Sequence, residues 1–293
     1  MTASSRPARL VVGCGYLGER VARAWLAAGD RVLGVTRRPA RAAELAAAGI
    51  EPVVADVAAD AAWWTALPPL ATVFWAVGFD RSGGGTHRDV HVTGLRRLLD
   101  GLAAASRTGG AAPPRIILSS STGVWGDEAG AVVDESTPPR PAREAGRALV
   151  EAEEVLRSHP LGPGVALRFA GLYGPDRLPR LDDLRAGRPI AADPDSWLNL
   201  LHVDDAARVV LLVAGAAAPA PLYVVSDGRP VRRRDWYGRL AALVGAPAPT
   251  WDPAAPRERG ADKRVDPARI GRDLGFTPAH PDALVALADL VGS

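Results

Sequence analysis

Apolar positions recur along this chain in two rhythms. Short unbroken runs suit strands buried on both faces: Leu10-Val11-Val12, Arg31 to Val35, Glu51 to Val54, Thr72 to Val77, Arg115 to Leu118, Gly164 to Ala170 and Tyr223 to Ser226. Between them lie stretches with helical spacing: Leu17, Val21, Ala24, Trp25 and Ala28, then Pro39 to Ala48, a helix running to about Ser106, Gly146 to Leu156, and His202 to about Gly215. Strand and helix in alternation predict an α/β fold around a parallel sheet. Trp63 and Trp64 fall in a short helix and read as packing residues. From Arg229 onward the pattern changes to helices and loops with several prolines. There Trp236, Tyr237 and Trp251 are expected to pack a small lobe, and the stretch PAPTWDPAAP reads as a linker.

The most informative punctuation is Gly13-x-Gly15-x-x-Gly18, between the first strand and the first helix. In that setting Gly13 allows a tight turn, Gly15 lets a pyrophosphate approach the backbone, and Gly18 lets helix pack on strand. The helix start at Tyr16 and Leu17 then turns its N–H groups toward the anion, so the motif predicts a dinucleotide site. The second strand ends in Thr36-Arg37-Arg38, where an NAD-preferring site carries Asp or Glu. An acidic side chain there accepts from the ribose 2′-hydroxyl and repels a 2′-phosphate, whereas arginine pairs with that phosphate, so NADP is favoured over NAD. Asp56, followed by Val57, is either an acceptor for the adenine amino group or a helix cap. Ala76-Val77-Gly78, at the end of the fourth strand, is small enough for the backbone to lie close to a cofactor. Arg81 to Thr86, RSGGGT, reads as a flexible loop at the carboxyl edge of the sheet.

Composition narrows the classes. A chain of 293 residues has room for one large α/β domain with a smaller appendage. Its 35 basic and 33 acidic residues leave a formal charge of +2, and the basic ones are scattered, so no nucleic-acid partner is expected. The start, MTASSRPAR, lacks the order of a signal peptide, and the longest apolar stretch, near Val209 to Ala218, is too short to span a bilayer. A cytoplasmic protein with no membrane partner is therefore expected. Cys14 is the only cysteine, which excludes a disulfide or a thiolate metal cluster within one chain and leaves it a small filler between two glycines. His87 and His91 stand four residues apart, but with no third ligand apparent they read as surface residues, and no metal is expected. Asp204 and Asp205 read as caps at a helix start. Lys263 is the only lysine; it is either a chance surface residue or one held where a planar guanidinium does not fit.

A second set of motifs is more specific. Ser119 to Asp127 reads SSSTGVWGD, followed by Val133-Asp134-Glu135, Thr137-Pro138-Pro139 and the helix GRALVEAEEVL. Together with GCGYLG at Gly13 to Gly18, LRFAGLYGP at Leu167 to Pro175, NLLHVDDAA at Asn199 to Ala207 and the late KRVDPARIGRDLGF, these make the chain resemble an extended short-chain dehydrogenase/reductase of the NAD-dependent epimerase/dehydratase family. The similarity runs over nearly the whole chain in the expected order. It implies a Rossmann-type doubly wound parallel sheet with a small C-terminal substrate-binding lobe. Residues 1–175 would form the NADP-binding domain, with 200–226 returning to the sheet, and 176–199 with 227–293 would form the lobe.

The family's usual machinery is an Asn, a Ser or Thr, and a Tyr-x-x-x-Lys pair whose phenol is the acid or base. The resemblance maps the Ser/Thr to Ser121, with Thr122 beside it, and puts Asn199 on the substrate side. The Asn position falls on His91, the Lys position on Arg147 and the Tyr position on Arg143. Tyr16, Tyr173, Tyr223 and Tyr237 are the only tyrosines and none lies four residues before Lys263, so no Tyr-x-x-x-Lys pair exists in this chain. That departure resembles atypical subgroups that keep the fold and cofactor loop without the tyrosine. Arg147 can still donate to the cofactor's ribose hydroxyls, but an arginine stays protonated and cannot cycle a proton. Two functions remain open: an NAD(P)-dependent oxidoreductase, epimerase or dehydratase acting on a small polar substrate such as a nucleotide sugar, and a non-catalytic NADP(H)-binding sensor or regulatory protein. In the first, Ser121 orients the substrate, and the proton comes from solvent or the substrate itself, with Tyr173 as the nearest phenol. A homodimer is compatible with either.

Overall fold

Seven strands build the central sheet: β1 (Ala8–Val12), β2 (Val32–Thr36), β3 (Glu51–Val54), β4 (Leu70–Trp75), β5 (Arg115–Ser121), β6 (Val165–Phe169) and β7 (Leu222–Val225), in the order β7-β6-β5-β4-β1-β2-β3. The computed structural model that shows this describes residues 8–60, 62–80, 85–109, 112–162, 164–252 and 262–292. β1 pairs in parallel with two neighbours, so that Leu10 lies opposite Leu33 of β2 and Val73 of β4. The chain winds outward through β2 and β3, then returns to β4 on the other side of β1, which makes β1 and β4 the place where strand order reverses. Val11, Val12, Phe74, Trp75, Ile117 and Leu118 are fully buried, which is why these strands read as unbroken apolar runs. β3 is the exception, an edge strand with Pro52 inside it and Val54 exposed.

Helices α1 (Tyr16–Ala27), α2 (Pro39–Ala47), α3 (Gly94–Gly109) and α4 (Glu144–Ser158) follow the first strands. α1 buries Leu17, Gly18, Val21, Ala22 and Trp25; Ala28 lies beyond its end and is exposed, so the expected stripe is one turn shorter and takes in Ala22. Leu95, Leu98 and Leu102 of α3 and Ala152, Val155 and Leu156 of α4 join Leu10, Val73 and Trp75 in one core. Trp64 packs on α3 so closely that a Cβ at Gly101 would come within 1.9 Å of its indole nitrogen, which accounts for a glycine inside a helix.

The described chain divides into two compact units: Met1–Ser120 with Ala148–Leu167 and Ala207–Leu222, and Ser121–Arg147 with Arg168–Ala206 and Tyr223–Ser293. The second therefore takes in Ser121–Arg147, well ahead of the boundary at residue 175 that the family resemblance implies. It contains α5 (Leu181–Arg185), α7 (Arg233–Leu243), α8 (Ala268–Leu274) and α9 (Ala283–Gly292), while α6 (Val203–Gly215) begins in the second unit and ends in the first. Short strand pairs stitch the second unit together: Gly171–Tyr173 with Leu200–His202, Trp197–Leu198 with Val231–Arg232, and Val132–Val133 with Arg264–Val265. Tyr173, Trp236, Leu240, Ile190 and Leu287 form its core. The expected linker is partly anchored, because Ile190 N donates to Thr250 O at 2.8 Å and Asp252 N to Ile190 O at 3.0 Å; its residues 253–256 lie outside the described ones. Among the described residues no helix is long and apolar enough to cross a membrane.

Candidate functional site

The first unit presents a backbone cradle. Gly13, with φ of +88°, lies in the left-handed region, and a Cβ on it would come within 2.7 Å of Ala76 O and Val77 Cα. A Cβ on Gly18 would fall 2.3 Å from Gly13 O. The protein's own packing demands both glycines. Gly15 differs: a Cβ there would meet nothing within 4 Å, and the same holds at Gly78. Gly15 is the N-cap of α1 and offers no side chain to the helix's first N–H groups at Tyr16 and Leu17. The turn is held by Gly13 N and Cys14 N donating to Val35 O at 3.3 and 3.1 Å. A positive helix end with uncapped donors and no side chain above it has the chemistry to receive a pyrophosphate. Cys14 between the glycines is buried, and burial pushes its thiol up to about 12, so it is inert packing.

A hollow in the same unit gathers the strand ends beside that turn, with Arg37, Asp56, Val57, Val77, Gly78 and Asp80 around it. Arg37 Nη2 donates to Asp80 Oδ2 at 2.8 Å, and its Nη1 lies 3.8 Å from Asp56 Oδ2, so its charge is already compensated. Arg38 is exposed and its guanidinium has no acidic partner among the described residues; its backbone N–H donates to Thr36 Oγ1 at 3.3 Å. Asp56 Oδ1 accepts from Ala58 N at 2.9 Å, the local turn role that competes with an adenine contact. In the loop Arg81 to Thr86, residues 81–84 lie outside the described ones.

The surface reading of the histidine pair is corrected. His91 is only 8% exposed, in a five-residue π-helical turn (Asp89–Thr93) ahead of α3, and burial lowers its pKa to about 4. Its ring stacks 5.9 Å from that of His87, which in turn stacks 3.8 Å from Phe79. Among the described residues, no group of three His, Cys, Asp or Glu is placed to hold a metal ion.

The second unit contains a cleft of about 460 Å³. Ser121, Thr122, Arg143, Asn199, Arg233 and Lys263 line it, with Trp197 among the apolar walls. β5 outruns its apolar stretch and ends on Ser121, whose Oγ accepts from Gly123 N at 3.0 Å and so fixes the turn Thr122–Val124. α4 starts against that turn, since a Cβ on Gly146 would lie 2.6 Å from Gly123 O. Asn199 spends both amide atoms on backbone: Nδ2 donates to Lys263 O at 2.9 Å and Oδ1 accepts from Val265 N at 2.8 Å. Arg143 lines the cleft, whereas Arg147 is exposed and donates to the carbonyl of Ala142, a neighbouring lining residue, at 3.1 Å.

Tyr173 is not among the cleft residues. It is wholly buried with its ring edge-on to His202 and Trp236, each 5.3 Å away, and its hydroxyl has no hydrogen-bond partner among the described residues. Burial, reinforced by Asp227, Asp205 and Asp282, pushes this phenol well above its ordinary value and weakens it as an acid. Asp204 and Asp205 stand in the first turn of α6, and Asp205, fully buried, also accepts from Ala279 N at 2.8 Å and His280 N at 2.9 Å and so anchors those two residues. Lys263 overturns the chance surface reading. It is 5% exposed, its Nζ lies 3.3 Å from Trp125 O and 3.5 Å from Gly126 O, and burial lowers its pKa to about 8.

Residues 9–225 match the NAD dependent epimerase/dehydratase family. Protein YeeZ of Escherichia coli K12 is 31% identical over 281 residues, covering 94% of this chain and 97% of that protein. A functionally unknown conserved protein from Silicibacter pomeroyi superposes with a TM-score of 0.76 at 29% identity, covering 98% of this chain and 99% of the other. A UDP-glucuronic acid 4-epimerase from Bacillus cereus, in complex with UDP-glucuronic acid and NAD, shares the fold with a TM-score of 0.77 at 18% identity, covering 97% of this chain and 99% of its own.

Proposed function

Because this chain belongs to the NAD-dependent epimerase/dehydratase family, we propose that it is an NADP(H)-using oxidoreductase of the epimerase/dehydratase kind, acting on a small polar substrate such as a nucleotide sugar. The observation that carries the reading is the contrast at the glycine turn: Gly13 and Gly18 are filled by protein, whereas the space above Gly15 is open beside an uncapped helix start. The dinucleotide, when bound, supplies hydride transfer. Tyr16 and Leu17 would hold its pyrophosphate through backbone N–H groups beside the open space at Gly15, whose own N–H donates to Gly13 O at 2.9 Å, while Val57, Ala76, Val77 and Gly78 would border the adenosine half. Arg38 supports the preference for NADP, since it is exposed and unpaired with any acid among the described residues; Arg37, clamped by Asp80 and Asp56, contributes less.

In the cleft, Ser121 donates a hydrogen bond to the substrate oxygen, and Arg143 and Arg233 favour an anionic substrate such as a sugar diphosphate. That chemistry fits a small-molecule partner in the cytoplasm rather than a nucleic acid, as do the scattered basic residues. A second reading, a sensor that binds NADP(H) without turnover, is favoured by one observation: at the family's tyrosine position the cleft presents Arg143, which cannot release a proton at working pH. A panel of carbonyl compounds and nucleotide sugars, assayed with NADPH by cofactor absorbance, separates the two. Turnover of any member supports the enzyme; saturable NADPH binding with no turnover across the panel supports the sensor.

A further inference from the structure

The loop around Lys263 is fixed with unusual thoroughness. Glu128 N and Gly130 N both donate to Asp262 O at 3.0 Å, and Trp197 N donates to Asp262 Oδ1 at 2.8 Å. Arg264 N donates to Ala131 O at 2.8 Å and Asp266 N to Val133 O at 2.9 Å, while the Asn199 amide grips Lys263 O and Val265 N. All this order carries one side chain whose amine is buried in the wall of the cleft that also holds Ser121. The two carbonyls nearest the amine, at 3.3 and 3.5 Å, are beyond the common N–H···O spacing of about 2.9 Å, so they hold it weakly and leave donor capacity for a ligand. In a chain with 35 basic residues, a single lysine stands at the one place where the pocket needs a compact amine rather than a guanidinium fork.

We infer that Lys263 is the catalytic residue that gives the proton to, and takes it back from, the reacting oxygen of the substrate in this cleft, an inference that rests on the oxidoreductase reading above. In the reducing direction a bound reduced dinucleotide would supply hydride to the carbonyl carbon, with the C=O π pair moving onto oxygen. That oxygen takes a proton from Lys263 Nζ. The products are the alcohol, the oxidised dinucleotide and a neutral amine that regains its proton from water. Ser121 orients the oxygen and needs no acidity of its own. The electrostatic surroundings suit proton exchange, because burial and the cations Arg233 and Arg143 disfavour the ammonium, Glu128 and Asp127 favour it, and the balance lies at about 8. A group poised there exchanges protons near neutral pH, which an arginine cannot do.

A single lysine makes the test direct. In the full chain grown with lysine carrying ¹³C at Cε, one resonance reports the one amine, with no assignment needed. Its titration is expected to have a midpoint near pH 8; a midpoint above 10 overturns the inference. The Lys263→Arg and Lys263→Met variants are then compared with the unaltered chain in NADPH calorimetry and in the carbonyl and nucleotide-sugar panel. The expected result is unchanged NADPH affinity, turnover lower by a factor on the order of 10² to 10⁴, and loss of the pH-profile limb near 8. Turnover within threefold of the unaltered protein in Lys263→Arg overturns the inference while leaving the function reading intact. If the unaltered chain binds no NADPH, the function reading falls and the inference with it. Where a variant fails to fold, or no panel member is turned over, the lysine titration of the unaltered chain decides.

Discussion

The glycine turn after β1 and the cleft around Lys263 are built on opposite principles. The turn is made of backbone: two glycines close the structure, a third leaves space, and the helix end supplies the field. The cleft is lined by side chains, and the backbone around residues 262–266 is fixed by hydrogen bonds that position Lys263 among them. A site made of backbone tolerates almost no substitution at its closing glycines, whereas a site made of side chains can change its chemistry one residue at a time.

The largest expected effect separates the glycines from one another. Gly18→Ala drives a Cβ into Gly13 O and is expected to cost about 3–5 kcal/mol in denaturant unfolding, enough to unfold a marginal domain. Gly15→Ala meets no atom and is expected to stay within about 1 kcal/mol of the unaltered chain. Equal losses would erase the distinction between closing and opening glycines.

Two buried groups, one in each unit, respond to pH with opposite sign. His91, in the first unit, has its folded pKa lowered to about 4 by burial, so the unfolded chain binds the proton first and stability is lost as pH falls from 6.5 toward 4. Asp227, in the second, is 6% exposed with Oδ2 lacking a hydrogen-bond partner among the described residues, and burial raises it to about 7. There the folded chain keeps the proton longer, so stability is lost as pH rises from about 4 to 7. Each contribution is on the order of 3 kcal/mol, and Asp227→Asn is expected to remove the second while leaving the first. Urea unfolding at pH 5 and pH 8 of both proteins reads the difference; an unchanged slope with pH in Asp227→Asn would contradict it. Lys263→Met, by removing a desolvated ammonium, is expected to raise stability by about 2 kcal/mol at pH 7. The unaltered chain should close part of that gap between pH 8 and 10.5, where its folded form holds fewer protons than the unfolded one. The smallest effect belongs to the arginines: Arg38→Ala is expected to reduce the NADPH-over-NADH preference five- to tenfold, about 1 kcal/mol, and Arg37→Ala by less, because its charge is spent on Asp80 and Asp56.

Strands that are buried on both faces announce themselves, and Leu10 to Val12 or Ile116 to Leu118 are readable because period and burial coincide. The turn is equally legible, since its glycines answer to steric rules that depend on local sequence. What escapes a reading of the chain is tertiary. His91 looks like any helical surface histidine until its burial beneath the stacked ring of His87 is seen. Asp205 is legible as a helix-start acid, but its second task, accepting from the distant Ala279 and His280 N–H groups, is not. Tyr173 looks like an available phenol, and its burial against His202 and Trp236 is a property of the fold. Lys263 does carry a signal, its singularity, but only the pairing of Arg264–Val265 with Val132–Val133 brings it to the cleft.

The central claim is that the open glycine, Gly15, marks where a nicotinamide dinucleotide lies. Titration calorimetry of NADPH and NADH into the unaltered chain and into Gly15→Ala tests it most directly. The expected result is saturable binding by the unaltered chain, tighter for NADPH, and at least tenfold weaker binding by Gly15→Ala at an unchanged melting temperature. No saturable heat with either dinucleotide, or equal affinity in the two proteins, would contradict it.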